Sequence, residues 1–117
     1  MEKSNPLMDK SKHFALRVVK AYKYLKKNGE TVLSKQFLRS GTSIGANVAE
    51  AQYAQSRADF ATKLAIALKE ASETMYWIDL LIDSEYLPDT KPTKTLMSEC
   101  DELISLLVPS VRKSKNN

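Results

Sequence analysis

The sequence predicts an all-α fold, an antiparallel up-and-down four-helix bundle. Only three Gly and four Pro occur among 117 residues, a composition that favours helix over sheet. Apolar residues recur at three- and four-residue steps in four segments, and this period is typical of amphipathic helices. The connections are short, which places consecutive helices antiparallel. We therefore predict a single domain spanning 1–117, with helices over residues 9–28, 32–54, 57–85 and 91–108.

The first two helices each carry one apolar stripe and are separated by Asn28 and Gly29, a pair typical of a helix end. On the first helix the stripe consists of Phe14, Val18, Ala21 and Leu25. On the second it consists of Leu33, Phe37, Ile44, Val48 and Ala51. Residues at these spacings share one face of a helix, so both stripes are predicted to face the core.

The last two helices have similar stripes and different ends. Ser56, with Asp59 three residues later, is typical of a helix start. The third stripe consists of Phe60, Leu64, Ala67, Ala71, Met75, Ile78 and Ile82, and the fourth of Leu96, Cys100, Leu103 and Leu107. Pro109 is expected to end or kink the fourth helix because proline lacks the backbone N–H. Residues 112–117 are then expected to be frayed.

Charge is distributed unevenly along the chain. Residues 1–39 contain ten Lys/Arg against three Asp/Glu, whereas residues 40–111 contain five against eleven. The basic third offers candidate phosphate contacts at Lys12, Arg17, Lys20, Lys23, Lys26, Lys27, Lys35 and Arg39, with Arg112, Lys113 and Lys115 as additional candidates. Tyr22 and Tyr24 are candidate stacking partners for bases. This asymmetry fits either a surface for polyanions or complementary surfaces that pair between subunits.

Some apolar residues lie outside the predicted core stripes. On the first helix these are Leu16 and Val19, among the lysines. On the third helix they are Ile66, Trp77 and Leu80, with Glu70 and Glu73 beside them. An exposed Trp with apolar neighbours is typical of a contact surface, so these seven residues are predicted to form a subunit interface. The alternative is that they flank a wide core stripe.

The second helix contains two glycines, Gly41 and Gly45, four residues apart. Each glycine costs about 1 kcal/mol in a helix relative to Ala, so we interpret them as sites where a neighbouring helix approaches closely. Ser43, Asn47 and Glu50 complete this structural motif, and the polar side chains need hydrogen-bonding partners if buried. A phosphate-binding loop is the alternative, but the segment lacks the GK[ST] ending of a P-loop.

The residue types argue against an enzyme. His13 is the only histidine, so the paired Glu-x-x-His motifs of di-iron bundles cannot form. Cys100, the only cysteine, lies in an apolar stripe and is interpreted as a core residue. The carboxylates Asp79 and Asp83 are interpreted as a solvated face. We therefore expect no cofactor and no metal. Because no apolar run reaches membrane length and the N-terminus lacks a signal peptide, we also expect a cytoplasmic protein without membrane contact.

The second and third helices also resemble a known family. Arg39-Ser40 followed by Ser43-Ile44-Gly45-Ala46-Asn47-Val48-Ala49-Glu50-Ala51 is similar to the motif of bacterial four-helix bundle proteins first noted as intervening-sequence proteins, which are encoded within inserts in large-subunit ribosomal RNA genes. The third helix, from Phe60 through Glu70 and Trp77 to Leu81, is similar too. The chain departs from the family pattern at Gly45, where many members carry Pro or Ser, and at Ala51, where many carry Gly.

The resemblance covers residues 10–108 and implies a four-helix bundle assembled as a ring-shaped homopentamer. Relatives include the accessory variability determinant of diversity-generating retroelements. That resemblance implies nucleic acid and a reverse transcriptase as candidate partners. Two functions therefore stay open: non-specific binding of RNA or DNA through the basic surface, and a protein-interaction scaffold or accessory subunit that binds no nucleic acid.

Overall fold

The helices of the structure agree with the predicted segments in number and order. The computed structural model describes residues 5–116 of the chain. Within this range four α-helices occur and no strand does: α1 (Pro6–Lys27), α2 (Leu33–Ala51), α3 (Arg57–Asp83) and α4 (Lys91–Asn116). The predicted all-α class is confirmed.

The ends of α1 are determined by local hydrogen bonds. Asn5 caps the first turn, since its Oδ1 accepts a hydrogen bond of 3.1 Å from the Met8 N–H. Pro6 fits the first helical position because proline lacks a backbone N–H, and an N–H at that position would have no partner within the helix. At the other end Gly29 has a φ of +91°. Its N–H donates to the Lys26 carbonyl at 3.1 Å, and the Glu30 N–H donates to the Leu25 carbonyl at 2.9 Å. This bonding pattern confirms the predicted helix end.

The starts of α2 and α3 are capped by side chains. Val32 cannot cap α2, and the buried Glu30 does so instead: its Oε1 accepts a hydrogen bond of 2.6 Å from the Ser34 N–H. At α3 the Ser56 hydroxyl accepts a 3.0 Å bond from the Asp59 N–H, as predicted. The cap by Glu30 has no counterpart in the sequence prediction, because glutamate two residues before the N-cap position is not a common capping arrangement.

The predicted end of the fourth helix is wrong. α4 continues through Pro109 to Asn116, and Val111 is buried one turn after Leu107. Pro109 removes only the bond to the Ser105 carbonyl, and Ser105 is exposed, so water can solvate that oxygen. Burial of Val111 thus extends the apolar stripe by another turn. Residues 112–116 are helical rather than frayed, and Asn117 lies outside the described residues.

Each helix packs against the helices next to it in sequence, and α4 also packs against α1. Within residues 5–116, α1 does not contact α3 and α2 does not contact α4. The predicted stripes form the core, in which Phe14, Val18, Phe37, Ile44 and Ile78 are fully buried. Of the four helix pairs that are in contact, α1 and α4 have the least extensive contact. As a result, α1 is more exposed than its packing against α2 alone would suggest.

The glycines of α2 bring α1 close. A Cβ added at Gly41 would lie 2.7 Å from Cγ1 and 2.8 Å from Cγ2 of Val18, and one added at Gly45 would lie 3.3 Å from the Ser11 carbonyl oxygen. Because a side chain at Gly41 would overlap Val18, the predicted close approach of a neighbouring helix is confirmed, and that neighbour is α1.

Candidate nucleic-acid interface

The outer side of α1 carries a row of exposed lysines. We call this surface the lysine face: Lys12, Lys20, Lys23, Lys26 and Lys27. These five lysines and Lys35 of α2 are exposed, and none of the six forms a salt bridge with another residue of the range 5–116. The face exists because Phe14 and Val18 turn the opposite side of α1 into the core. Among the residues that the structure describes, this face is therefore a surface of unpaired positive charge.

Arg17, a predicted phosphate contact on the same helix, has a different environment. Its Nη1 lies 2.9 Å from Oε2 of Glu99, and its Nη2 donates a 2.9 Å hydrogen bond to the Pro92 carbonyl. The guanidinium thus joins α1 to the first turns of α4. The other oxygen of Glu99, Oε1, is buried and has no hydrogen-bond partner within the described part of the chain.

Arg39, the predicted phosphate contact on α2, is neutralised by α3. Its Nη1 lies 2.9 Å from Glu70 Oε2, and its Nη2 forms a second ion pair with Glu73. The Trp77 indole N–H donates a 2.9 Å hydrogen bond to that same Glu73 oxygen. The bond from Trp77, and then the bond from Arg39, lowers the pKa of Glu73, while the bond to Glu73 raises the pKa of Arg39. The structure therefore brings three predicted interface residues together around one predicted phosphate contact.

The predicted interface residues fall into two separate sets. Leu16 is 62% exposed within the lysine face, and Val19 is half-buried beside it. On α3, Ile66 is exposed, whereas Trp77 and Leu80 are half-buried; Trp77 also packs against the core. Because α1 and α3 do not touch, the two sets lie on different sides of the bundle.

The motif on α2 has a structural role. The Ser43 hydroxyl donates to the Arg39 carbonyl at 2.6 Å, and the Asn47 amide donates to the Ser43 carbonyl at 2.8 Å. Glu50 pairs with Lys63 of α3 at 3.0 Å, a contact that raises the pKa of Lys63. The whole segment is helical. These contacts support the packing interpretation, and a helical backbone cannot form a phosphate-binding loop.

The candidate catalytic groups are a buried cysteine and an exposed histidine. Burial raises the pKa of the Cys100 thiol to about 12, and its Sγ donates to the Ala71 carbonyl at 3.4 Å, so it is a core residue as predicted. His13 is exposed and lies 3.9 Å from Glu99. Within residues 5–116, no three His, Cys, Asp or Glu side chains are grouped for a metal ion, and no helix is both long and apolar enough to cross a membrane.

Residues 3–109 match the model of the 23S rRNA-intervening sequence protein family. The chain belongs to this family. The intervening-sequence match ends at residue 109, so the last two turns of α4, with Arg112, Lys113 and Lys115, lie beyond it. The resemblance predicted from the α2 and α3 motifs is confirmed.

A solved structure agrees with this assignment. It is a protein of unknown function from the S23 ribosomal protein family of Bacteroides thetaiotaomicron, 51% identical, with a TM-score of 0.86, over 90% of this chain and 97% of that one. No curated protein matches this chain. The comparisons therefore support the fold and the family.

Proposed function

We propose that this chain is a non-enzymatic, oligomeric bundle protein that binds RNA or DNA without sequence specificity through its lysine face. The observation that carries the proposal is the absence of salt bridges at Lys12, Lys20, Lys23, Lys26 and Lys27 within the described residues. Lysines without acidic partners are available to phosphates, and each contact releases condensed counterions from the nucleic acid. Such contacts position a backbone and do not read bases.

We also infer an antiparallel up-and-down bundle that assembles into a ring, with a homopentamer favoured. Lys10 pairs with Glu102 at 3.1 Å, whereas Arg17, further along α1, pairs with the earlier residue Glu99. This order supports antiparallel α1 and α4. We place the contact between subunits at the apolar set on α3 (Ile66, Trp77 and Leu80), which leaves the lysine face free, and head-to-tail contacts at such a surface form a ring when the rotation between subunits closes. A ring would present several lysine faces to one nucleic acid, and multivalency would strengthen a weak single contact.

The same considerations suggest a cellular role without catalysis. Within residues 5–116, the buried thiol of Cys100 donates to the Ala71 carbonyl, and the exposed imidazole of His13 has the Glu99 carboxylate as its ion-pair partner. Neither group is arranged as a nucleophile with an adjacent base. We therefore propose a cytoplasmic accessory protein whose partners are copies of itself, RNA or DNA, and a protein such as a reverse transcriptase.

The first experiment removes charge from the lysine face. Lys20→Gln combined with Lys23→Gln is compared with Lys69→Gln, an exposed lysine of α3 outside the face, in filter binding to generic RNA and DNA at several salt concentrations. The double variant is expected to lower the slope of log affinity against log salt by about 2, since each phosphate contact contributes about 1. Lys69→Gln is expected to leave the slope unchanged. Equal slopes for all three proteins would contradict the proposal.

The alternative function is a protein-interaction scaffold, and the exposure of Leu16 supports it. A leucine that is 62% exposed among lysines suits a surface covered by an acidic and apolar partner. Light scattering after size exclusion tests this with Leu16→Glu. If the scaffold is correct, the wild type assembles through this face, and Leu16→Glu reduces the assembly. If the face binds nucleic acid, Leu16→Glu leaves the oligomer intact and weakens nucleic-acid binding.

A further inference from the structure

A cleft opens at the edge of the lysine face, between α1 and the connection from α3 to α4. Its volume is about 300 Å³, and α1 contributes Arg17, Lys20 and Tyr24 to its wall. On the opposite side the lining includes Leu87 and Pro88 of the connection and Thr93 of α4. The lining is therefore mainly apolar, with cationic groups on one side. This volume lies at the lower end of the range for small-ligand sites, about 300–1,000 Å³.

Arg17, which lines the cleft, joins the two helices on either side of it. The guanidinium donates to Glu99 and to the Pro92 carbonyl, both at 2.9 Å, so α1 is fixed to α4 without closing over the space between them. Leu87 and Leu96 are buried beneath the opening. A preformed, mainly apolar cleft of this kind suits a flat ring whose attached groups remain near the lysines.

The two tyrosines near the lysines differ in their surroundings. Tyr22 is half-buried and does not line the cleft, whereas Tyr24 is 45% exposed and does. Tyr24 lies four residues after Lys20, which places both side chains on the same side of α1. An aromatic ring beside a lysine, at the mouth of an apolar cleft, matches the arrangement by which proteins hold unpaired bases.

We propose that this cleft takes one unstacked base of a single-stranded nucleic acid, with the base against Tyr24 and the adjoining phosphates on Lys20 and the lysine face. The inference rests on the proposed function, because the phosphate contacts are those of the lysine face. Bases of a duplex are stacked inside the helix and cannot enter the cleft, whereas bases of a single strand turn outward and stack on aromatic side chains. The surface therefore favours single strands over duplexes.

The test separates base from phosphate with two ligands. The first is a short single-stranded oligonucleotide, and the second is the same strand with abasic sites in place of every base. The wild type is expected to bind the base-bearing strand about tenfold more tightly, which is within the range for stacking one base on an aromatic side chain. Tyr24→Ala is expected to abolish this preference while leaving the affinity for the abasic strand unchanged, and Tyr24→Phe is expected to retain it.

Tyr53→Ala is the matched control, because Tyr53 is 87% exposed and lies away from the cleft. It is expected to retain the preference. Equal binding of the two strands by the wild type would overturn the inference and leave the lysine face as a phosphate-binding surface. A preference that survives Tyr24→Ala would also overturn it. Failure to bind either strand would contradict the proposed function itself, and the inference with it.

Discussion

The two sides of α1 show two ways of joining helices. Toward α2, the missing side chains of Gly41 and Gly45 let the backbones approach, and Val18 fills the space. Toward α4, charged side chains join the helices instead, through the Arg17–Glu99 pair and the more exposed Lys10–Glu102 pair. The first contact excludes other groups from between the helices. The second leaves beside it the cleft lined by Arg17, Lys20 and Tyr24.

The largest expected effect comes from filling the close contact. Gly41→Leu places a side chain where even a Cβ would lie 2.7 Å from Val18, and overpacking of this kind lowers the free energy of unfolding by about 3 kcal/mol. Ala46→Leu, at an exposed position of the same helix, is the control and should change the free energy of unfolding little. Urea denaturation at fixed protein concentration measures both. Equal stabilities would show that α1 and α2 are free to separate.

The close contact could be predicted from the sequence because its cause is local. Two glycines four residues apart in a helix lower its intrinsic stability, and the apolar stripe beside them indicates which side needs the space. The helix segments were predictable for the same reason, since their apolar periods repeat within each segment. The end of α4 was not, because burial of Val111 by other helices overrides the effect of Pro109.

The next effect breaks the ionic contact. Arg17→Ala removes the partner of Glu99, whose Oε1 is already buried without a hydrogen bond in the described structure. Leaving a partly buried carboxylate without its cation lowers the free energy of unfolding by about 2 kcal/mol. Lys10→Ala breaks the neighbouring pair, which is about half exposed, and should change it by less than about 0.5 kcal/mol.

Urea denaturation compares these two variants with the wild type, and hydrogen exchange at the first turns of α4 locates the change. Faster exchange there is expected for Arg17→Ala alone. If the two variants lost equal stability, α1 and α4 would be held together by apolar contacts, and the cleft would owe nothing to Arg17.

The candidate site was less predictable than the fold. The lysine face followed from the period of α1, because the core stripe determines which side is exposed. The ion pairs Arg17–Glu99 and Arg39–Glu70 could not be predicted in this way. Their partners are 82 and 31 residues apart, and composition cannot show which helices are neighbours. Both arginines were predicted to contact phosphates, and both form salt bridges between helices of the bundle.

The smallest expected effect concerns the Arg39 cluster, whose ion pairs join α2 to α3. Trp77→Phe retains a ring but removes the N–H that lowers the pKa of Glu73 below its ordinary value of 4.5. A carboxylate with a lowered pKa contributes stability above its unfolded pKa, and the contribution is lost as the pH falls through the folded value. The bond should therefore contribute about 0.5 kcal/mol at pH 7 and nothing once Glu73 is protonated.

The measurement is the free energy of unfolding at neutral pH and at pH values below 4, for the wild type, Trp77→Phe and Tyr76→Phe. Loss of packing by Trp77→Phe is the same at every pH, so only the part that disappears in acid reports the hydrogen bond. Tyr76 packs edge-to-face on Trp77 at 5.2 Å, and its variant retains the indole donor, so its effect should not depend on pH. A pH-independent loss in Trp77→Phe would show that Arg39 alone holds Glu73 charged, and that the α2–α3 contact depends on ion pairs as the α1–α4 contact does.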